Sequence, residues 1–195
     1  MINDILSALQ AGRPELAERL SRDALAARPG DSDLTLFLAI SLQQQARLAE
    51  AVPLYAALAE SHPDSGLHWG NYATALRSAG REHEAETVYR RALQLDPDNA
   101  EQLLDFGLLQ LQHREFAAAR DTLLRAHALD TTSPTARIHA ARACAMCRDS
   151  RADDLLRPWR EWKDLGNDLR FELADLHLVL GEANTARVLL EELLE

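Results

Sequence analysis

Apolar residues recur along this chain with the period of an α-helix. Between Gly66 and Asn99, one group spaced i, i+3, i+4, i+7 is followed, after Gly80, by a second group of similar spacing. Such spacing places apolar side chains on one face of each of two helices. Glycine favours a helix end, and the residue before Pro97 disfavours helix. The segment therefore predicts helix, turn, helix and stop. The two groups are Trp69, Tyr72, Ala73 and Leu76, then Ala85, Val88, Tyr89, Ala92 and Leu93.

This pattern returns about every 34 residues through the whole chain. Prolines stand at that interval at Pro29, Pro63 and Pro97. Small residues align in columns, as is needed where helices cross closely. The columns are Ala17, Ala51, Ala85, Ala119, Ala152, Ala186; Ala39, Ala73, Gly107, Ala141, Ala174; and Ala24, Leu58, Ala92, Ala126. The predicted turn positions are Gly12, Ala46, Gly80, Arg114, Arg148 and Gly181.

These residues resemble the tetratricopeptide repeat. Its pattern has Trp, Leu-Gly and Tyr in the first helix, and Ala, an aromatic residue and a closing Pro in the second. The matching residues are Trp69, Tyr72, Ala73, Leu76, Ala85, Tyr89 and Pro97; Tyr72 replaces the usual Leu, Ala73 the Gly and Leu76 the Tyr. The resemblance covers essentially the whole chain. It implies an all-α, right-handed superhelical solenoid of six helix-turn-helix units, at 1–31, 32–65, 66–99, 100–133, 134–166 and 167–195.

Composition supports the helical prediction and limits the partners. The chain of 195 residues is 47% hydrophobic and only 5% aromatic, and it carries 31 acidic against 21 basic residues, a net charge of −10. A surface of this charge repels phosphate backbones, so we expect no nucleic-acid partner. No apolar run reaches the length of a membrane span, and the first residues lack a signal-peptide pattern, so we expect no membrane association and a cytoplasmic location. Of the 21 basic residues, 20 are Arg, which we interpret as a feature of genome composition rather than of function.

The sequence contains no catalytic motif, so we expect neither enzyme activity nor a cofactor. The one candidate is Cys144-Ala-Met-Cys147, which lies late in a predicted helix without a neighbouring strand. Redox pairs open a helix, so we interpret these cysteines as buried apolar residues and expect no metal site. The seven histidines are scattered and form no i, i+4 pair, and we expect most of them at the surface.

The first helices of such a solenoid line a concave surface, which is where a partner is expected to bind. Each apolar residue on that surface has an alternative role, because it could simply pack between neighbouring first helices. Polar residues there are harder to explain by packing, and together they suggest a groove for an extended peptide or a helix. The predicted groove residues are Phe37, Ile40, Asn71, Thr74, Arg77, Asp105, Leu108, His139 and Arg142.

The resemblance implies a non-catalytic scaffold that binds a protein or peptide. Family members that bind acidic chaperone tails use Lys and Arg to clamp a terminal carboxylate. Here Glu101 and Asp105 stand where such cations would be needed, so we expect a basic or apolar segment rather than an acidic one. The alternative is the substrate-recruiting N-terminal region of a larger bacterial enzyme, of the sulfotransferase, protein glycosyltransferase or aspartyl hydroxylase type.

Two further features suggest contacts. Pro158 is expected to distort the second helix of the fifth unit, beside Trp159 and Trp162, which either fill the core or anchor a partner.

The final helix stays apolar to its end, at Val188, Leu189, Leu190, Leu193 and Leu194. Either a further domain or a second copy of the chain would cover that face, and the second possibility predicts a homodimer.

Overall fold

The computed structural model describes residues 2–157 and 165–193. Within these ranges all regular structure is α-helical, which confirms the predicted all-α class. Pro158, Trp159, Trp162 and Leu194 lie outside the described residues. The helices are α1 (Ile2–Gln10), α2 (Pro14–Ala27), α3 (Ser32–Gln44), α4 (Leu48–Ser61), α5 (Gly66–Ser78), α6 (Glu82–Leu95), α7 (Ala100–Gln112), α8 (Phe116–Leu129), α9 (Pro134–Met146), α10 (Arg151–Leu156), α11 (Asn167–Val179) and α12 (Ala183–Glu191).

The helices form two compact units, Met1–Pro97 and Asp98–Glu195. In the first unit each helix from α1 to α5 packs against the next, and α1 also contacts α3. In the second unit α7 packs on α8, α8 on α9, α9 on α10, and α11 on both α9 and α12. Each of the six predicted repeats contains one pair of these helices, although the division into repeats itself remains our interpretation. We call the odd-numbered helices the first helices and the even-numbered ones the second helices.

The starts of four first helices are fixed by side-chain caps that recur at the repeat interval. Asp31, Ser65, Asn99 and Ser133 each accept a hydrogen bond from the backbone N–H three residues later, at 3.1, 3.4, 3.1 and 3.2 Å. Such a cap satisfies one of the four N–H groups that have no partner within the helix. The interval seen in the prolines is therefore also present in the capping residues.

Every predicted turn position has a left-handed backbone conformation. The φ angles are 64° at Gly12, 58° at Ala46, 72° at Gly80, 62° at Arg114, 56° at Arg148 and 81° at Gly181. In the α5–α6 turn, the N–H of Gly80 donates to the carbonyl of Arg77 and the N–H of Arg81 to that of Leu76. These bonds satisfy the last carbonyls of the first helix and reverse the chain. The turn prediction is confirmed at all six positions.

The columns of small residues lie inside the two units. All the members named above are buried, and most of them have no exposed surface. Because the small side chains lie where helices cross, they allow close approach of the helix backbones. The predicted core register is therefore confirmed in both units.

The last helix differs from the prediction that its apolar residues face outward together. Leu189 is buried in the core that also contains Leu173, Leu176 and Ile138, and Leu190 packs against the same core. Of Val188, Leu189 and Leu190, only Val188 is exposed, at 40%. The reason is that α12 packs on α11, which buries Ala186 and Leu189. None of the helices in the described ranges is long and apolar enough to cross a membrane.

Candidate functional site

The most distinctive surface of the second unit lies on its first helices, α7, α9 and α11. On α9 the side chains of Ala141 and Cys144 face the core, while Arg142 is on the partly exposed side. This arrangement follows from the helical period, which places residues one position apart about 100° from each other. An open pocket of about 440 Å³ lies on this side, and we call it the α9–α11 pocket. It is lined by Leu108, Leu111, His139, Arg142, Phe171, Glu172 and Asp175.

Arg142 joins α9 to α11 across the pocket. Its Nη1 lies 3.1 Å from Oδ2 of Asp175, and its Nη2 donates to the backbone carbonyl of Glu172 at 3.2 Å. Two of its donors are therefore used by the adjacent helix. Nε of Arg142 is buried and makes no hydrogen bond among the described residues. The guanidinium is thereby fixed in orientation, and its charge is compensated by Asp175.

His139 and Glu172 face each other beside this ion pair. Nδ1 of His139 lies 3.4 Å from Oε2 of Glu172, and both atoms are buried without a well-formed hydrogen bond in the described ranges. Burial lowers the pKa of His139, Glu172 opposes this effect, and Arg142 adds to it. The imidazole is therefore neutral near neutral pH, because its ordinary pKa is already about 6.5. Glu172 consequently has no compensating charge from His139 at that pH.

The remaining wall of the pocket is apolar. Leu108 and Leu111 contribute half-buried side chains from α7, and Phe171 contributes a ring that is 61% exposed from α11. Mixed apolar and charged walls of this kind are typical of sites that bind a side chain with a long stem and a polar end.

Three of the four groove residues predicted in the second unit line this pocket. They are Leu108, His139 and Arg142, whereas Asp105 is half-buried one turn earlier on α7 and is not among the lining residues. His139 is more buried than predicted, with 8% exposure. Phe171, Glu172 and Asp175 were not predicted as site residues, although stepping by the repeat places them on the same face. This step, extended from His139 and Arg142 into the sixth repeat, predicts the face on which the three residues lie but not their distances to His139 and Arg142.

The predicted groove residues of the first unit lie on α3 and α5. Phe37 and Ile40 are one turn apart on α3, and all five residues are half-buried. Phe37 packs against the core formed by α1, α2 and α3. The hydroxyl of Thr74 is 3.0 Å from that of Tyr89 on α6. Phe37 and Thr74 therefore contact other helices of the unit and are also partly exposed. Asn71 and Arg77 are the other predicted groove residues on α5.

The cysteines lie at the end of α9, as predicted. Cys144 is fully buried, and Cys147 is the half-buried residue that ends the helix. Burial raises the pKa of the Cys144 thiol to about 11. A reactive thiol requires the opposite shift, so this environment is that of a packed apolar residue.

The family is decided by comparison with known proteins. The model of the tetratricopeptide repeat matches residues 5–65 and again residues 36–100. This chain belongs to the tetratricopeptide-repeat family. The tetratricopeptide fold extends beyond the matched residues, because helical pairs of the same kind continue through α11 and α12. The resemblance inferred from Trp69, Tyr72 and Ala85 is thereby confirmed.

Similar proteins include one much longer chain and two of similar length. The human N-alpha-acetyltransferase 16, NatA auxiliary subunit, is 33% identical over 133 residues, which are 67% of this chain and 15% of that protein. The chain thus spans about 15% of the length of this curated relative. PilW, a type IV pilus biogenesis factor, superimposes with a TM-score of 0.84 at 20% identity, covering 98% of this chain and 89% of PilW. PilF of Pseudomonas aeruginosa gives 0.81 at 22% identity, covering 96% and 86%. These structural likenesses establish the fold.

Proposed function

We propose that this tetratricopeptide-repeat chain is a non-catalytic scaffold that binds a segment of another protein on its first helices. The observation that carries the proposal is the α9–α11 pocket, where exposed Phe171 stands beside the oriented Arg142–Asp175 pair. Aromatic anchors and fixed ion pairs of this kind are features of protein interfaces. The predicted groove residues on α3 and α5 are proposed as a binding surface of the first unit in its own right.

The partner segment is proposed to be basic or apolar. The chain has a net charge of −10, so a strongly acidic segment would be repelled over its whole approach. The polar groups of the pocket lead to the same expectation, because Arg142 is already paired with Asp175. We place this binding in the cytoplasm, without a nucleic-acid or membrane partner.

The test is selection of displayed random peptides of about twelve residues on the full chain, followed by affinity measurements on variants. Asn71→Ala, Arg77→Ala and Leu108→Ala change the first helices, and Leu129→Ala is the matched control on α8, where it is 44% exposed. We expect at least one of the first-helix variants to bind the selected peptides more weakly than the wild type does. The control variant should bind them as the wild type does. Failure to select any peptide, or sensitivity to the control alone, would contradict the proposal.

A second candidate function is that the array recruits substrates for an enzyme to which it belongs or binds. The likeness to an acetyltransferase auxiliary subunit favours this candidate, since the chain matches only 15% of that protein. The two candidate functions are distinguished by the mass of the protein that an antibody against this chain detects in cells expressing the gene. A product much heavier than 21.7 kDa would favour the recruiting arm, and a product of that mass the separate scaffold. End-to-end homodimerisation through the C-terminal helix, in the region 189–194, remains a proposal that light scattering would test.

A further inference from the structure

The charges in the α9–α11 pocket are incompletely compensated. Two carboxylates, those of Glu172 and Asp175, line it together with one permanent cation, Arg142. The guanidinium is 3.1 Å from Asp175, and it reaches Glu172 only at the backbone carbonyl. In the described part of the chain, His139 is the one ionisable side chain within ion-pair distance of the Glu172 carboxylate. A carboxylate in a partly buried site stabilises an opposite charge near it.

His139 does not supply that charge at neutral pH. Its imidazole is buried, and its Nδ1 makes no hydrogen bond to Oε2 of Glu172 although the atoms are 3.4 Å apart. The charged groups around it are Glu172 and Asp175 on α11 and Arg142 on its own helix, whereas the residues that α7 contributes to the pocket are leucines. The Glu172 side chain lines the pocket and is 37% exposed, while its Oε2 is buried.

The apolar wall fits the stem of a long cationic side chain. Leu108 and Leu111 lie on one side of the pocket and the exposed ring of Phe171 on another. Lysine and arginine bury their methylene stems on apolar surface while their charged ends stay polar, and an aromatic ring attracts such a cation. An anionic side chain in the pocket would be repelled by the Glu172 carboxylate. Arg142 would not offset this repulsion, because it is already paired with Asp175.

We propose that the α9–α11 pocket receives a lysine or arginine side chain of the bound protein segment, with the Glu172 carboxylate as its ionic partner. Leu108, Leu111 and Phe171 surround the stem of that side chain. This inference rests on the proposed function, because it names the residue of the partner that the scaffold recognises.

The experiment uses the full chain and the peptides selected on it as probes. Each lysine or arginine of a selected peptide is replaced in turn by norleucine, which keeps an unbranched stem and removes the charge. We expect one replacement to weaken binding about tenfold or more on the wild type. The same replacement should have little effect on Glu172→Gln, because the charge interaction is already absent there. Glu60→Gln is the control, since it removes the same charge from an exposed position on α4.

A charge exchange keeps the test decisive if Glu172→Gln lowers stability. Glu172→Lys should weaken the selected peptide, and a glutamate at the sensitive peptide position should restore binding to that variant. Peptides that bind without a sensitive cation, or whose affinity changes equally with Glu172→Gln and Glu60→Gln, would overturn this inference and leave the proposed scaffold function intact. Failure to select any peptide would overturn both.

Discussion

A Cβ atom placed on Gly107 would lie 2.5 Å from Cγ of Leu123. Gly107 belongs to the column that otherwise contains alanine, and Leu123 is fully buried on α8. We predict that Gly107→Ala lowers the free energy of unfolding by about 1–2 kcal/mol, since overpacking exceeds the gain of about 1 kcal/mol in helix propensity. Urea denaturation measures this change.

The Leu123→Ala background is the control for that prediction. There the space beside α7 is open, so Gly107→Ala should become neutral or stabilising, and the double-mutant cycle should show coupling of about 1 kcal/mol or more. A stabilising effect of Gly107→Ala in the wild-type background would show that α7 and α8 are not as close as the structure places them.

The left-handed turn residues give a second prediction. Ala46 has a φ of 58° and Gly80 one of 72° at equivalent positions of adjacent repeats. Ala46→Gly should raise the free energy of unfolding by about 0.5–1 kcal/mol, and Gly80→Ala should lower it by about 1–2 kcal/mol, because the left-handed region disfavours a Cβ atom. Thermal melting of both variants checks this.

Ala57→Gly serves as the matched control for the turn prediction. Ala57 is exposed within α4, so glycine should there cost about 1 kcal/mol, the opposite sign to Ala46→Gly. Equal destabilisation by both glycine variants would contradict the turn geometry.

Stability should depend on pH through three histidines. Burial is the main cause that lowers the pKa of His68, His127 and His139 in the folded chain. Between these lowered values and about 6.5, the unfolded chain binds more protons than the folded one, so stability falls as pH falls through this window. Urea denaturation at about pH 7.5 and about pH 5.5 should show the loss.

His139→Gln tests the contribution of the most buried of these three side chains. The variant should show a smaller loss of stability between the two pH values, by at most about 1.4 kcal/mol per pH unit for one proton. The wild type measured in parallel is the reference. If His139→Gln loses as much stability between the two pH values as the wild type does, His139 does not titrate as the structure indicates.

The cysteine environment predicts unequal thiol reactivity. Cys144 is fully buried in the folded chain and becomes exposed only on unfolding. Burial raises the pKa of its thiol to about 11, so little thiolate is present at neutral pH. Half-buried Cys147 should react with iodoacetamide much faster. Mass spectrometry should find one modified thiol in the native chain and two in urea, and rapid native modification of both would contradict the burial of Cys144.

Features fixed by local geometry could be predicted from the sequence. A left-handed turn is required between every pair of helices, so Ala46 and Arg114 were found from spacing alone despite lacking the usual glycine. Helix crossings require small side chains, so Ala85 and Ala119 identified the core register. Both follow from rules that hold within one repeat.

Features that depend on the distance between helices could not be predicted. The histidines were expected at the surface, yet His139 and His177 are buried and only His83 of the seven is exposed. Burial of His139 depends on how closely α11 approaches α9. Glu172 and Asp175 resemble ordinary solvated residues in the sequence of α11, and only the structure shows their distances to His139 and Arg142.

The central claim is that partners bind on the first helices, and amide chemical-shift mapping of the full chain with a selected peptide tests it most directly. The account predicts that the largest changes in the second unit lie on α7, α9 and α11, with a maximum around His139, Arg142 and Glu172, and that any changes in the first unit lie on α3 and α5. Changes confined to the second helices α4, α6, α8 and α12 would contradict it.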